Sequence, residues 1–473
     1  MDAVATRAVL AWTLVGVLLR AALLIDPPFL HSDGPGYLWI AQHDITPERW
    51  RSALAGYFPA FFPAAIRVAH ATGLDWEASG RAVAFVAGVA LIPLSARLGT
   101  AMLGPAIGQA SAALAALHPR LVRSSITVLP ETLAAILVAS VTLLLFRGSA
   151  WAAALAGVLA GVGGQVRPEL VLLVPLAVLV ASIAAPPGHR LRCAVATAAG
   201  AALVLVPTLL VLRAERGEWM LSGKERYFIA RKYGTDATSL LDLLVRHPGA
   251  FLATYVTFLR RQIGYMLAAM EWVLAIGFVL GFAARPQDAT GARAWRIVGL
   301  VLALATAALA INPARRYVVP WLPLCLPWIV RGGQVLLAWA ARRDGWPAAL
   351  ARRRAVILGA LAVLLVARAV RSEPSPEACY RSLCAWIVPR STGIPVVMAD
   401  DSRVAYLCGG RFLLRPHRLR GRFDETLATA RRLGATVLVV PSRERKRAGS
   451  TRPPDVERCQ STRTLGLYVV DAG

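Results

Sequence analysis

Charged side chains are scarce in this 473-residue chain: Asp, Glu, Lys and Arg make up 17% of it, against 57% hydrophobic residues. With a mean hydropathy of +0.56, that scarcity excludes an ordinary water-soluble enzyme and leaves a polytopic membrane protein. Acidic residues are the scarcer sign, 27 against 52 Lys and Arg, for a net charge of +25. The basic excess lacks a continuous stripe or a stacking motif, which excludes nucleic acid as a partner. It falls instead in short Arg clusters between apolar runs, so the partners it fits are membrane lipids, through anionic headgroups and lipid phosphates. No A-x-A pattern follows the run "AVLAWTLVGVLLRAALLI", which is therefore expected to stay as a first helix and not to be removed as a signal peptide. The six cysteines, Cys193, Cys325, Cys379, Cys384, Cys408 and Cys459, contain no C-x-x-C spacing, which argues against zinc. Four of them lie in the last hundred residues, where some can pair if the tail is extracytoplasmic; the connectivity stays open. There is no convincing internal repeat and no long low-complexity segment apart from the basic loop "SRERKRAGSTRPP", which reads as a solvated hairpin or disordered tip.

What is present is a series of apolar runs long enough to span a bilayer, at about 4–26, 78–99, 124–146, 166–185, 192–212, 262–283, 297–312, 315–332 and 354–370. Shorter runs at 105–118 and 150–165 complete an expected eleven. The run "YFPAFFPAAIRVAHATG" fits either an interfacial helix or a span. With a cytoplasmic N-terminus, one set of loops collects Arg97, Arg147, "HRLR" at 189–192, Arg285, Arg293, Arg296 and "ARRDGWPAALARRR". The other face receives residues 31–75, "HPR" at 118–120, "VRPE" at 166–169, the loop 213–251, "NPARRY" at 312–317 and the tail. The fold class expected is an all-α polytopic bundle of about eleven transmembrane helices with juxtamembrane helices, residues 1–371, followed by a small C-terminal α/β extracytoplasmic domain, 372–473. In the latter, "IPVVMAD", "VAYLCG" and "TVLVVPS" read as strands and "FDETLATARRLGA" as a helix.

Ionisable groups at the outer membrane boundary are costly unless used, and the candidates for chemistry concentrate there. "HSDGPGYLWIAQ" presents Asp33 with His31 beside it and Tyr37 one helical turn on, although an Asp before Gly-Pro is also an ordinary turn or N-cap residue. Glu131 in "VLPETLAAIL" and Glu169 with Arg167 in "GQVRPELVLL" stand at helix starts beside prolines. Arg167, and Arg315 with Arg316 in "NPARRYVVPWLP", depart from the positive-inside pattern. Guanidinium forks suit phosphate oxygens, with snorkelling to headgroups as the alternative. The loop segment "SGKERYFIARKYGT" interleaves Lys224 and Arg226 with aromatics, as a basic surface helix or a cover over a lipid phosphate would.

Taken in order, the Asp with a following Tyr after the first span, "YFPAFFPAAIRV", "LHPRLVRSSITVLPETL", "VRPELVLL" and "NPARRYVVPWLP" resemble the GT-C integral-membrane glycosyltransferases. Within that superfamily the pattern is similar to dolichyl-phosphate-mannose protein mannosyltransferases, lipid A aminoarabinose transferases and bacterial lipopolysaccharide glycosyltransferases, over about residues 1–370. The resemblance implies a multi-pass enzyme of the bacterial inner membrane. It would move a sugar from a polyprenyl-phosphate donor to a glycan, lipid or protein acceptor on the extracytoplasmic face, with inversion. Asp33 would be the general base; Arg167, Arg315, Arg316, Lys224 and Arg226 would hold the donor phosphate; Glu131, Glu169, Tyr37 and His31 would support them. Many relatives carry a second acid directly beside the first-loop Asp, whereas Gly34 follows Asp33 here. No metal ligand set is assigned, and a divalent cation shared by His31 and Asp33 stays open. A transporter or flippase of a lipid-linked sugar is the competing class, opposed by the lack of paired repeats with interrupted helices. A non-catalytic envelope scaffold is the third.

Overall fold

The computed structural model describes residues 3–46, 49–54, 56–217, 219, 229, 232–233, 235–237, 239–342, 353–371, 377–390, 393–399, 401–414, 423–441 and 465–469. Lys224, Arg226, Cys459, the Cys379 side chain and the "SRERKRAGSTRPP" loop lie outside the described residues. Contacts divide the chain into two units, Met1–Asp26 with Ile40–Arg371, and Pro27–Trp39 with Ser372–Gly473.

The chain begins with α1 (Ala3–Leu23), α2 (Gly34–His43), α3 (Trp50–Leu54) and α4 (Phe61–His70). Then come α5 (Trp76–Leu103), α6 (Pro105–Leu117), α7 (Pro119–Ser124), α8 (Glu131–Phe146), α9 (Ala150–Val166), α10 (Leu173–Ala184) and α11 (Arg190–Arg216). The bundle ends with α12 (Leu240–Arg246), α13 (Pro248–Ala269), α14 (Trp272–Ala283), α15 (Ala289–Leu309), α16 (Leu322–Ala341) and α17 (Arg354–Val370). Local chemistry sets these boundaries. Asp75 caps α5 by accepting from the Ala78 N–H at 2.9 Å, and Asp288 caps α15 by accepting from Gly291 at 2.7 Å. Pro119 opens α7 and Pro168 opens a 3-10 turn, Pro168–Leu172, both at positions whose N–H needs no helical partner.

Among the described residues five helical segments are long and apolar enough to cross a membrane: Thr6–Leu23, Trp76–Leu103, Pro187–Glu215, Ala289–Leu309 and Arg315–Ala341. The pair α13 and α14 makes a sixth if counted as one bent span, and shorter apolar helices accompany them. The run 262–283, expected as one span, is broken instead. Its two helices meet at 103°, at Glu271, which sits at φ 63 and pairs with Arg368 at 2.8 Å. An apolar run does not reveal a break when the residue that turns the backbone is neither Gly nor Pro. The ambiguous "YFPAFFP" run becomes α4, ten residues and about 15 Å long, too short to span. It buries Phe62 and Ile66, and Arg67 donates to the Ala41 carbonyl at the end of α2 (3.1 Å).

Small residues let helices approach closely, as membrane bundles require. A Cβ at Gly157 of α9 would lie 2.0 Å from the Thr197 carbonyl oxygen of α11, and one at Gly281 of α14 would lie 1.9 Å from that of Trp328 in α16. The fully buried Arg20 of α1 also braces the bundle. Its guanidinium donates to the carbonyls of Ala115 (3.2 Å) and Ala116 (3.0 Å) at the C-terminus of α6, and to the Ser125 hydroxyl at 2.8 Å. A cation on the last carbonyls of a helix satisfies orphan acceptors and the helix dipole together.

The second unit contains α18 (Glu377–Ile387), β1 (Val396–Ala399), α19 (Ser402–Leu407), β2 (Arg411–Leu414), α20 (Phe423–Arg432), β3 (Val437–Pro441) and β4 (Leu465–Val469). The sheet order is β2-β1-β3-β4, with β1 parallel to β2 and β3, and β4 antiparallel to β3 with Leu438 opposite Tyr468. Alternation along the strands builds two cores: Val397, Ala399, Val437 and Val439 pack with Leu383 and Val404, while Met398 and Leu438 pack with Ala430. "VAYLCG", expected as a strand, is the helix α19. The Asp401 carboxylate accepts from the Arg403 N–H at 3.0 Å and starts a helix that buries Val404 and Ala405. The strand falls on "RFLL" instead. Cys384 of α18 and Cys408, which ends α19, form a disulfide.

Candidate functional site

Among the described residues, those the sequence singles out fall in two clusters, one in each unit. The first is built on the junctions of the bundle. Glu131 opens α8 directly after Pro130, and its position is fixed by Thr132, whose hydroxyl donates to the Ala84 carbonyl of α5 at 3.1 Å. The segment leading to it is anchored by Arg81, which donates to the Ile126 carbonyl at 2.9 Å. Arg167 ends α9 in extended conformation, because Pro168 follows it and disfavours helical geometry at that position. Its guanidinium reaches Glu131 at 2.6 Å and Glu169 at 3.4 Å. With Glu131 1% exposed and Arg167 5% exposed, this is an ion pair withdrawn from water.

The 3-10 turn Arg315–Trp321 closes the cluster. Tyr317 is buried in it, with the Arg167 guanidinium over its ring at 4.7 Å and that of Arg316 at 5.4 Å. The preceding side chain, Arg315, is exposed and lies over the Tyr265 ring of α13 at 5.7 Å. Arg167, Glu131, Glu169, Arg316 and Tyr317 thus form one polar knot, with Arg315 at its exposed edge. Arg167 is already balanced by carboxylates. Arg315 makes no ion pair among the described residues, which leaves its fork for an anion. Sequence reading missed Tyr265, and it missed Gln262 one turn earlier. Gln262 is fully buried, and neither amide atom has a partner among the described residues. A single polar residue inside a long helix gives no sequence signal of such a role.

The second cluster carries Asp33, which sits half-buried where the chain turns into α2. Its carbonyl accepts from the Gly36 and Tyr37 N–H groups at 3.1 and 3.3 Å, and Tyr37 is buried. Its own N–H donates to His31 Nδ1 at 3.3 Å. The C-terminal fold grips this stretch from α19: Ser402 donates to the Ser32 carbonyl at 2.6 Å, and Arg403 lies within 3.4 Å of the Leu30 carbonyl and 5.4 Å over the Phe29 ring. Arg403 is held in turn by Asp401, which also accepts from the Tyr380 hydroxyl at 3.1 Å. Burial, and next the Asp401 charge, push the Tyr380 phenol up to about 12. None of these partners was singled out from the sequence, because local pattern says nothing of a contact 370 residues away.

No family model and no curated protein matches the sequence. Solved structures do. The oligosaccharyltransferase AglB of Archaeoglobus fulgidus, in complex with an inhibitory peptide and a dolichol-phosphate, aligns at a TM-score of 0.63 and 12% identity, over 93% of this chain and 69% of its own. ArnT of Cupriavidus metallidurans in the apo state aligns at 0.58 and 14% identity, over 99% of both chains. The chain has their fold. ArnT bound to undecaprenyl phosphate aligns at 0.54 over 92% of this chain. AglB and ArnT are GT-C membrane glycosyltransferases, the group the motif order resembles, and a helical multi-pass membrane protein is what the apolar helices and this fold describe.

AglB has also been solved with zinc and sulfate. In this chain His31 Nδ1 faces the Asp33 N–H, and among the described residues no group of three His, Cys, Asp or Glu side chains gathers.

Proposed function

We propose that the protein is a glycosyltransferase that moves a sugar from a polyprenyl-phosphate donor to an acceptor hydroxyl or amine of a glycan, lipid or protein. The acceptor oxygen or nitrogen attacks the anomeric carbon, Asp33 takes its proton, and the bond from that carbon to the phosphate oxygen breaks with inversion. Polyprenyl phosphate leaves with the charge. The exposed Arg315 and its neighbour Arg316 stabilise that charge, and Arg167, fixed by Glu131 and Glu169, holds Tyr317 and the turn in place. The observation that carries the reading is this arginine edge on a chain whose fold is shared with structures holding dolichol-phosphate and undecaprenyl phosphate.

The reading includes eleven spans in a bacterial inner membrane, with the Asp33 unit on the extracytoplasmic face. The Cys384–Cys408 disulfide supports that face, since disulfides persist in oxidising compartments. The test is to incubate purified protein with polyprenyl-phosphate sugars and assay released polyprenyl phosphate. Asp33→Asn, which keeps shape but cannot accept the proton, is expected to lower turnover by roughly 100-fold or more while donor binding is unchanged. Movement of intact lipid-linked sugar across a vesicle membrane without bond cleavage would replace the transferase reading with a flippase.

A further inference from the structure

A second group of arginines meets at the other end of the bundle. Arg147 follows the C-terminus of α8, about 24 Å along the helix from Glu131. With Arg293 and Thr290 from the first turns of α15, and with Ala101, Leu143 and Phe146, it lines an open cleft of 440 Å³. The positive-inside pattern assigns Arg147 and Arg293 to one face of the membrane from loops far apart in sequence, and the fold brings them to one cleft.

Among the described residues the cations of this cleft have no anion. Arg147 is exposed, and its guanidinium has no hydrogen-bond or ion-pair partner among the described residues. Arg293 is fixed by donating to the Ala184 carbonyl at 2.5 Å, and its Nε is buried without a partner. The adjoining acid, Asp288, accepts from the Gly291 N–H and caps α15. A buried guanidinium N–H left unpaired is costly, and a cleft lined by two cations together with Leu143 and Phe146 matches an amphiphilic anion.

We propose that this cleft binds an anionic phospholipid, with Arg147 and Arg293 on the phosphodiester, the Thr290 hydroxyl donating to a headgroup oxygen, and an acyl chain along Leu143 and Phe146. The lipid joins α5, α8 and α15 from the leaflet opposite the Glu131 end, and the site does not depend on the transferase reading.

The test counts lipids on the full-length protein in detergent by native mass spectrometry during titration with phosphatidylglycerol, phosphatidylcholine or glycerol 3-phosphate. The parent should retain phosphatidylglycerol selectively. Arg147→Gln should weaken it by at least about tenfold, the loss of one charge-assisted bond. Arg192→Gln, which removes an exposed arginine outside the cleft, should leave it unchanged. Equal retention by Arg147→Gln and the parent would overturn the site, as would an equal loss in Arg192→Gln or equal retention of phosphatidylcholine. Glycerol 3-phosphate binding as tightly as the lipid would make this a free-phosphate site and refute the lipid. Because Arg147 is exposed, its variant folds independently of whether Arg293→Gln does.

Discussion

Replacing Arg315 by Lys separates a phosphate fork from a charge that merely snorkels to headgroups. Arg315 is exposed over Tyr265, and Arg316, its neighbour, lies over Tyr317, so the two guanidiniums stand on different rings. Lysine keeps the charge and reaches the interface equally well, so a surface role tolerates the change. It cannot reproduce two parallel bonds to one phosphate. Losing one charge-assisted bond of about 1.5–3 kcal/mol corresponds to a roughly 10- to 150-fold weaker Kd. Tyr265→Leu removes only the cation–π support, about 0.5–1 kcal/mol at an exposed site, and should weaken binding roughly two- to fivefold. Anisotropy of a fluorescent polyprenyl phosphate in detergent measures both. If Arg315→Lys and Arg316→Lys each bind within twofold of the parent, the phosphate is not held on this turn, and the assignment of Arg315 and Arg316 is wrong.

Glu131→Gln should destabilise the protein by up to about 3–5 kcal/mol, because it leaves the buried Arg167 charge with only the longer Glu169 contact; replacing the pair together, Glu131→Leu with Arg167→Met, should cost much less. Denaturant titration in mixed micelles distinguishes these outcomes, and equal losses would deny that the pair acts as a unit. Cys384→Ser opens a loop of 24-residue separation, for which loop closure alone predicts a loss of about 3.5 kcal/mol, readable as earlier unfolding of the C-terminal unit. The Tyr380 phenol is raised above its unfolded value, so its contribution to stability is complete below pH 10 and is lost as pH rises through about 12. Phenolate absorbance should therefore appear late in an alkaline titration, and Tyr380→Phe should flatten stability across that window.

The sequence located polar groups better than it located their partners. Glu131, Arg167, Arg315 and Arg316 stood out because ionisable residues beside prolines mark the ends of apolar runs; the fold gathers Glu131, Arg167 and Arg316 around Tyr317 and sets Arg315 over Tyr265. That Glu131 answers Arg167, 36 residues on, is tertiary information with no local periodicity. The same limit explains Arg20, an ionisable residue inside an apolar run whose acceptors lie on α6. Hydropathy cannot distinguish a straight span from the bent pair α13–α14, and a short buried helix such as α19 has the apolar content of a strand. His31 and Tyr37 do lie near Asp33, but the grip on that segment comes from Ser402 and Arg403, at the far end of the chain.

That separation bears on when the molecule can first work. The Asp33 segment leaves the ribosome early, whereas the serine that fastens it follows 370 residues later, a delay of roughly 20–75 s at about 5–20 residues per second. Its seat also adjoins a helix tied by Cys384–Cys408, so completion of the seat waits for oxidation as well as synthesis. A nascent or truncated chain would have the Arg315–Trp321 turn before the Asp33 segment is held by Ser402, so under the transferase reading chemistry would be deferred until the C-terminal unit has folded.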